Sequence, residues 1–198
     1  MLQRALAWAA PRARATVARR DPLAVLVAAI VLAALLACSL AVAVRAGAPA
    51  DSAASRLNGS ALPAVLLPAE RGGTPIAAQP LAPPGASHPS LIVFFGTLCP
   101  HCPRQLAAVA ALGAATPALA VIYVDAPAES PAAIAAYMGR LGISAPVLLD
   151  RGAALSARLG IAYTPAVVLV DRAGVVRHVW TGETATATIA AAVAALPA

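Results

Sequence analysis

At 198 residues the chain is long enough for one ordinary domain with a tail, but short for two full domains. Its hydrophobic fraction of 61% and mean hydropathy of +0.81 exceed the apolar share of a soluble domain and point to a membrane segment. The net charge of +6 is lopsided: Arg4, Arg12, Arg14, Arg19 and Arg20 stand against Asp21 ahead of an apolar run. Arg45 follows that run, and from residue 46 onward eight arginines oppose seven acids, so the folded part is nearly neutral. Such a distribution excludes a nucleic-acid surface and reads as a topology signal.

In chain order, residues 1–22 are expected to be a cytoplasmic basic tail. Residues 23–44 form an uncharged stretch of 22 residues. As a helix this stretch spans about 33 Å, against about 30 Å of bilayer hydrocarbon. It is predicted to cross the inner membrane once. The excess of arginine on its N-terminal side leaves the remainder of the chain on the far side, the periplasm of a Gram-negative cell. A cleaved signal peptide is the alternative, but the apolar run is longer than the usual core of such signals. Lipidation at Cys38, after Leu35-Leu36-Ala37, is a second alternative. The apolar run continues through residues 40–44, so Cys38 reads as an ordinary small apolar helix residue. Residues 45–61 are small, polar and without periodicity, a linker, and the domain is expected over 62–198.

Residues 65–67 and 76–77 flank Gly72-Gly73 and predict a short hairpin. A Pro-rich loop covers 80–89. Residues 91–95 are a continuous apolar run, as expected of a strand buried on both faces. A helix over 100–112 follows, then a buried strand over 119–124 ending at Asp125. Ser130 and Pro131 predict the cap and first position of a helix over 131–141. A short strand at 147–149 precedes a helix over 153–159 ended by Gly160. Residues 166–170 and 175–180 flank Asp171-Arg172-Ala173-Gly174 and predict an antiparallel hairpin. A helix over 184–196 closes the chain. Parallel crossovers followed by a hairpin call for an α/β domain, with a central mixed sheet flanked by helices and an antiparallel edge.

The chemistry lies in Cys99-Pro100-His101-Cys102. A disulfide between these cysteines closes a ring too small to restrain an unfolded chain much, so the spacing points to catalysis rather than structure. At i and i+3 of a helix the two side chains share one face. At the helix N-terminus, Cys99 meets the positive end of the macrodipole, which favours its thiolate. Cys99 is the expected nucleophile and Cys102 the resolving thiol. His101, the residue between them, is expected to lower the Cys99 pKa by presenting an imidazole N–H to the sulfur.

A structural zinc site needs four ligands, and only His88, His101, His178 and Cys38 accompany the pair, so no metal and no cofactor beyond the redox-active disulfide is expected. His88 and His178 read as surface or face-filling residues. A copper chaperone built on Cys99, Cys102 and His178 is an alternative, because thiolates suit Cu(I). A peroxidase is disfavoured, because Thr97 lies two residues before Cys99 rather than three.

Over residues 62–196 the chain resembles the TlpA/ResA-like branch of membrane-anchored, thioredoxin-fold thiol-disulfide oxidoreductases. The resemblance is carried by Leu91 to Cys102 with its DsbA-type Cys-Pro-His-Cys motif, by Pro146 to Asp150, and by Gly160 to Gly174 around Thr164-Pro165. It implies a thioredoxin-like fold with an N-terminal β-hairpin extension. Catalytic residues would be Cys99, Pro100, His101 and Cys102. Pro165 would be a cis-proline facing the redox pair, and Thr164 would offer backbone hydrogen bonds to a substrate strand. It further implies periplasmic protein thiols or disulfides as partners, an upstream redox partner, and reduction of disulfides in cytochrome or copper-protein precursors. Four residues depart from the pattern. Leu98 replaces a common tryptophan, and Val93 occupies the position of a buried acid. Pro103 cannot donate to the Cys99 carbonyl and is expected to distort the first helical turn. Pro100-His101 is the dipeptide of the DsbA-type thiol oxidase, the alternative direction of electron flow.

Overall fold

The computed structural model describes residues 57–81, 88–127 and 129–197, together with separate positions between 22 and 33. The chain divides into two compact units, Met1–Ala48 and Pro49–Ala198. In the first, residues 22–23, 26–27 and 30–33 are helical, and Leu23, Leu26, Val27, Ile30, Val31 and Leu32 are all at least 52% exposed. Among the described residues no helix is long and apolar enough to cross a membrane. The remainder of the predicted 23–44 span, residues 45–56 of the linker and residues 82–87 of the Pro-rich loop lie outside the described residues.

In the second unit seven strands form one sheet in the order β2-β1-β5-β4-β3-β6-β7. They are β1 (Leu66–Arg71), β2 (Thr74–Pro80), β3 (Ser90–Phe95), β4 (Ala120–Asp125), β5 (Val147–Leu149), β6 (Ala166–Val170) and β7 (Val176–Thr181). Strands β3, β4 and β5 are parallel, whereas β6 pairs antiparallel with β3 and β7 with β6. The hairpin β1–β2 extends the other edge by pairing β1 antiparallel to β5. This is a thioredoxin-like mixed sheet with an N-terminal hairpin.

Four helices cover the sheet: α1 (Cys102–Ala115), α2 (Pro131–Arg140), α3 (Ala154–Arg158) and α4 (Thr186–Ala194). The period of two along each strand divides the core into two layers. Leu91, Val93 and Phe95 of β3 join Tyr123, Val147, Leu149, Val167 and Leu169 beneath α1, α2 and α4. Ile92 and Phe94 turn the other way, to Val124, Leu148, Val168 and Val170 beside Leu155 and Leu159 of the α3 region. All six residues of β3 are buried, as its apolar run requires of a strand covered on both sides. Full burial of one such large side chain contributes about 1.5–3 kcal/mol.

Local signals fix the helix starts. Ser130 accepts from the Ala133 N–H at 3.3 Å, with Pro131 in the first turn of α2. Asp150 accepts from the N–H groups of Leu155 (2.8 Å) and Ser156 (2.7 Å) and from the Ser156 hydroxyl (2.7 Å), and so caps α3 from a buried position. Asp171 ties the β6–β7 turn by accepting from the N–H groups of Ala173 and Val175, each at 2.9 Å.

Several boundaries differ from expectation, and two of them bear on the ends of the domain and the site. The domain begins before residue 62: Leu57 packs on the second core layer, Gly59 N–H donates to the Val176 carbonyl at 2.8 Å, and Ala61 bridges to Val175. This short segment folds against the β7 end by backbone hydrogen bonds, which composition does not register. Helix α1 starts at Cys102 rather than at residue 100, with His101 as its cap. Pro103 therefore sits in the first turn, where a missing N–H costs nothing, and the expected distortion is absent. The Cys99 carbonyl accepts instead from the Cys102 N–H at 3.3 Å.

Candidate active site

Strands β3 and β4 run parallel and end side by side at Phe95 and Asp125. The crevice outside the carboxyl ends of parallel strands is where an open α/β sheet presents reactive groups. Here β3 leads into Gly96, whose missing Cβ leaves room for Pro127; a Cβ at this position would stand 2.9 Å from the proline ring. The Cys99 N–H then donates to the Gly96 carbonyl at 3.2 Å, a turn that delivers Cys99 to the mouth of α1.

Cys99 and Cys102 form a disulfide with a Cα–Cα separation of 5.4 Å. The two sulfurs have unlike surroundings. Cys102 is fully buried in the first core layer, while Cys99 is half-buried at its edge. Cys99 Sγ stands 3.4 Å from the Thr164 carbonyl oxygen, a separation that a protonated thiol spans by donating its hydrogen. The Thr164-Pro165 peptide is cis. Of the predicted residues, Cys99, Cys102, Thr164 and Pro165 thus converge, and Pro100 lies exposed between the cysteines.

His101 behaves differently from expectation. Its side chain is 59% exposed, and Nδ1 lies 3.1 Å from Glu183 Oε2 and 3.0 Å from Arg104 Nη2. The hydrogen bonds of His101 go to these groups, not to Cys99. Arg104 in turn donates Nε to Glu183 Oε1 at 2.7 Å and Nη2 to Oε2 at 2.6 Å, a two-pronged ion pair. The Arg104 guanidinium, then His101, hold the Glu183 carboxyl down to about 2. Nor does His178 join the pair. It stacks on Trp180 at 5.1 Å on β7, and among the described residues no group of three His, Cys, Asp or Glu could hold a metal ion. The geometry thus fails to assemble the copper site considered from sequence.

On the other side of the cysteines, Glu129 grips the approach to Cys99. Its carboxylate accepts from the Thr97 N–H at 2.8 Å and from the Thr97 hydroxyl at 2.7 Å. Asp125 lies fully buried beneath, accepting from the Glu129 N–H at 2.8 Å, with Oδ1 lacking a partner. Burial pushes its carboxyl up to about 6, and the neighbouring Glu129 and Asp150 add to the rise. Sequence reasoning missed Arg104, Asp125, Glu129 and Glu183. Asp125 alone carried a signal, as an acid closing a buried parallel strand. Glu183 lies 82 residues from His101, and no spacing rule joins them.

Residues 58–196 match the Redoxin family model. The chain belongs to the Redoxin family. No protein of curated function matches it. Solved structures share its fold at low identity. One is a secreted disulfide oxidoreductase of Mycobacterium tuberculosis, homologous to E. coli DsbE (TM-score 0.54, 18% identity, 67% of this chain and 96% of that one). Another is StoA from Bacillus subtilis (TM-score 0.53, 16% identity, 67% and 98%). A 2-Cys peroxiredoxin from Plasmodium vivax fits as well (TM-score 0.58, 16% identity, 70% and 95%). Fold likeness therefore does not choose among redox chemistries. As a Redoxin protein with a closed cysteine pair at its site, the chain is an oxidoreductase.

Proposed function

We propose that the chain is a membrane-tethered thiol-disulfide oxidoreductase that passes electrons from Cys99 and Cys102 to disulfides of protein partners in the periplasm. The observation that carries this reading is the asymmetry of the pair: one sulfur is buried under α1 and the other is open beside Thr164. In the reduced state the Cys99 thiolate attacks one sulfur of a partner disulfide. That S–S bond breaks, its electron pair leaves on the second partner sulfur, which takes up a proton, and Cys99 is held in a mixed disulfide. Cys102, deprotonated, attacks Cys99 Sγ, the mixed disulfide breaks, and the remaining partner sulfur leaves as a thiol. Two electrons and two protons have passed to the partner, and an upstream dithiol must restore the pair.

Three further features support parts of this reading. Leu98 (91% exposed) and Tyr163 (69% exposed) flank Cys99 and Thr164, so the mouth of the site is apolar and suits a protein chain. Among the described residues the one hydrogen-bond contact of Cys99 Sγ is to the Thr164 carbonyl, and His101 Nδ1 turns to Glu183 and Arg104, which favours a reductant over an oxidant whose reduced form is stabilised. The exposed apolar helix positions between Leu23 and Leu32 suit a lipid-facing anchor, and the basic tail ahead of them suits a cytoplasmic N-terminus. Cytochrome or copper-protein precursors are the partner class proposed.

The test is a trap. Full-length Cys102→Ser protein, expressed in a periplasm-bearing host, is expected to accumulate mixed disulfides through Cys99 that dithiothreitol releases. Cys99→Ser protein should accumulate none. Equal trapping by both variants would overturn the assignment of Cys99 as nucleophile.

A further inference from the structure

The strand register brings more than the cysteines to one end of the sheet. Phe95, Asp125 and Leu149 stand opposite one another where β3, β4 and β5 end, and the Asp150 N–H donates to the Asp125 carbonyl at 3.0 Å just beyond them. Strand β1 runs antiparallel to β5 with Ala69 opposite Leu148, so its first residues, Leu66 and Leu67, lie past the end of β5. Between them and α3 opens a slot of about 270 Å³, lined by Leu66, Leu67, Leu149 and Leu155 and bordered by Arg151 and Arg158. Leu149 and Leu155 are buried, whereas Leu66 is 69% exposed, a large apolar side chain left in water at the rim.

The positive charge of the slot is unmatched. Asp150 also lines it, but its buried carboxylate is engaged by the N–H groups of Leu155 and Ser156 and by the Ser156 hydroxyl. Among the described residues the ion pairs join Glu183 to His101 and Arg104, and Asp171 to Arg177. Arg151 and Arg158, both exposed, are left without an acidic partner. The acids around the cysteines are engaged as well, Glu129 with Thr97 and Glu183 with Arg104.

The slot is also continuous with the redox site. Arg158 ends α3, and five residues later the chain reaches the exposed Tyr163. Thr164 follows, with its carbonyl oxygen 3.4 Å from Cys99 Sγ. Five residues span at most about 18 Å, so one short segment of a partner can reach both the slot and the sulfur.

We propose that this slot docks an acidic segment of the disulfide-bearing partner, with an apolar side chain of that segment in the slot and its carboxylates on Arg151 and Arg158. The inference rests on the exchange reading above and names the chemistry of the partner. Guanidinium forks match carboxylates in geometry, the apolar side chain covers Leu66, and the exposed charge pairs weaken as salt rises.

The experiment uses the oxidised full chain carrying Cys38→Ser, in nonionic detergent, with dye-labelled, cysteine-free peptides in which leucine alternates with glutamate, glutamine or lysine. Fluorescence anisotropy reads the affinity. The glutamate peptide is expected to bind about tenfold more tightly than the glutamine peptide, a margin that shrinks as ionic strength rises. Arg151→Glu with Arg158→Glu should reverse the order, so that the lysine peptide binds best, a gain that misfolding cannot produce. Leu66→Ser should weaken all three. Equal affinity for the glutamate and glutamine peptides, or an order unmoved by the double reversal, would overturn the inference. So would displacement of the glutamate peptide by an equal concentration of octanoate, which would make the slot a site for alkyl anions. A dimer in sedimentation that the double reversal dissolves would put a second copy there and overturn it too. With a mixed disulfide added at one end of each peptide, the kcat/KM ratio on the reduced chain should follow the affinity ratio through KM, and a ratio of one would count against docking of the partner. If none of these disulfides were reduced, the exchange reading would fail, while the affinities, measured without a cysteine, would still decide the slot.

Discussion

The segment before Cys99 and the segment after it are each held by a glutamate, yet the two grips differ in kind. Glu129 binds Thr97 by a backbone N–H and a hydroxyl, above a fully buried Asp125. Glu183 binds two side chains, Arg104 and His101, at the surface. The first grip fixes where the backbone delivers Cys99. The second ties the first turn of α1 to the connection between β7 and α4. The first grip is made to the backbone beside a buried acid and the second between exposed side chains, so the two should differ in what their loss costs the fold.

Removing the first grip should have the largest effect. Glu129→Ala leaves the Thr97 N–H and hydroxyl without their charged acceptor, and is expected to cost about 2–4 kcal/mol. It should slow exchange with a model disulfide at least tenfold, as urea unfolding and stopped-flow rates would register. Glu129→Gln, which keeps one acceptor, should fall between. If the alanine variant reacted at the wild-type rate, Glu129 would have no part in delivering Cys99.

Asp125 sharpens the comparison through pH. Its carboxyl is raised to about 6 in the folded chain, so it contributes stability below the ordinary carboxylate range, and that contribution is lost as pH rises through about 6. Asp125→Asn should therefore be more stable than the parent at pH 7 by on the order of 1–3 kcal/mol, with the difference vanishing near pH 4. Denaturation at the two pH values checks this. Equal stabilities at pH 7 would mean that the buried carboxylate carries no penalty.

The second grip should show the smallest effect on folding. Glu183 is held near 2 by Arg104 and then His101, so its contacts are lost only as pH falls through that value. They are present throughout any physiological range. Being exposed, the cluster is screened by salt and solvent. Glu183→Ala should leave the thermal midpoint of the domain where it was. A large drop in that midpoint would place Glu183 with Glu129 as a structural clamp.

Much of the architecture was legible because the strands announce themselves. The apolar run at 91–95, the Asp171-to-Gly174 turn and the Ser130-Pro131 cap each carry a local signal, and the observed elements fall on them. The pair Cys99 and Cys102 was legible for the same reason. What was not legible depends on contacts between distant segments. Residues 57–61 join the domain through backbone hydrogen bonds to the β7 end. His101 is drawn aside by a residue near the end of the chain. Pro103 proved harmless because the helix starts two residues later than its pattern suggested. Local spacing placed His101 beside Cys99, and only the return of the chain at Glu183 reveals its other partner.

The central claim, that this pair gives electrons rather than takes them, is tested most directly by the reduction potential of the full-length Cys38→Ser protein against glutathione. The account predicts a value near that of thioredoxin, about −270 mV. A value near that of DsbA, about −120 mV, would contradict it and make the chain a thiol oxidase.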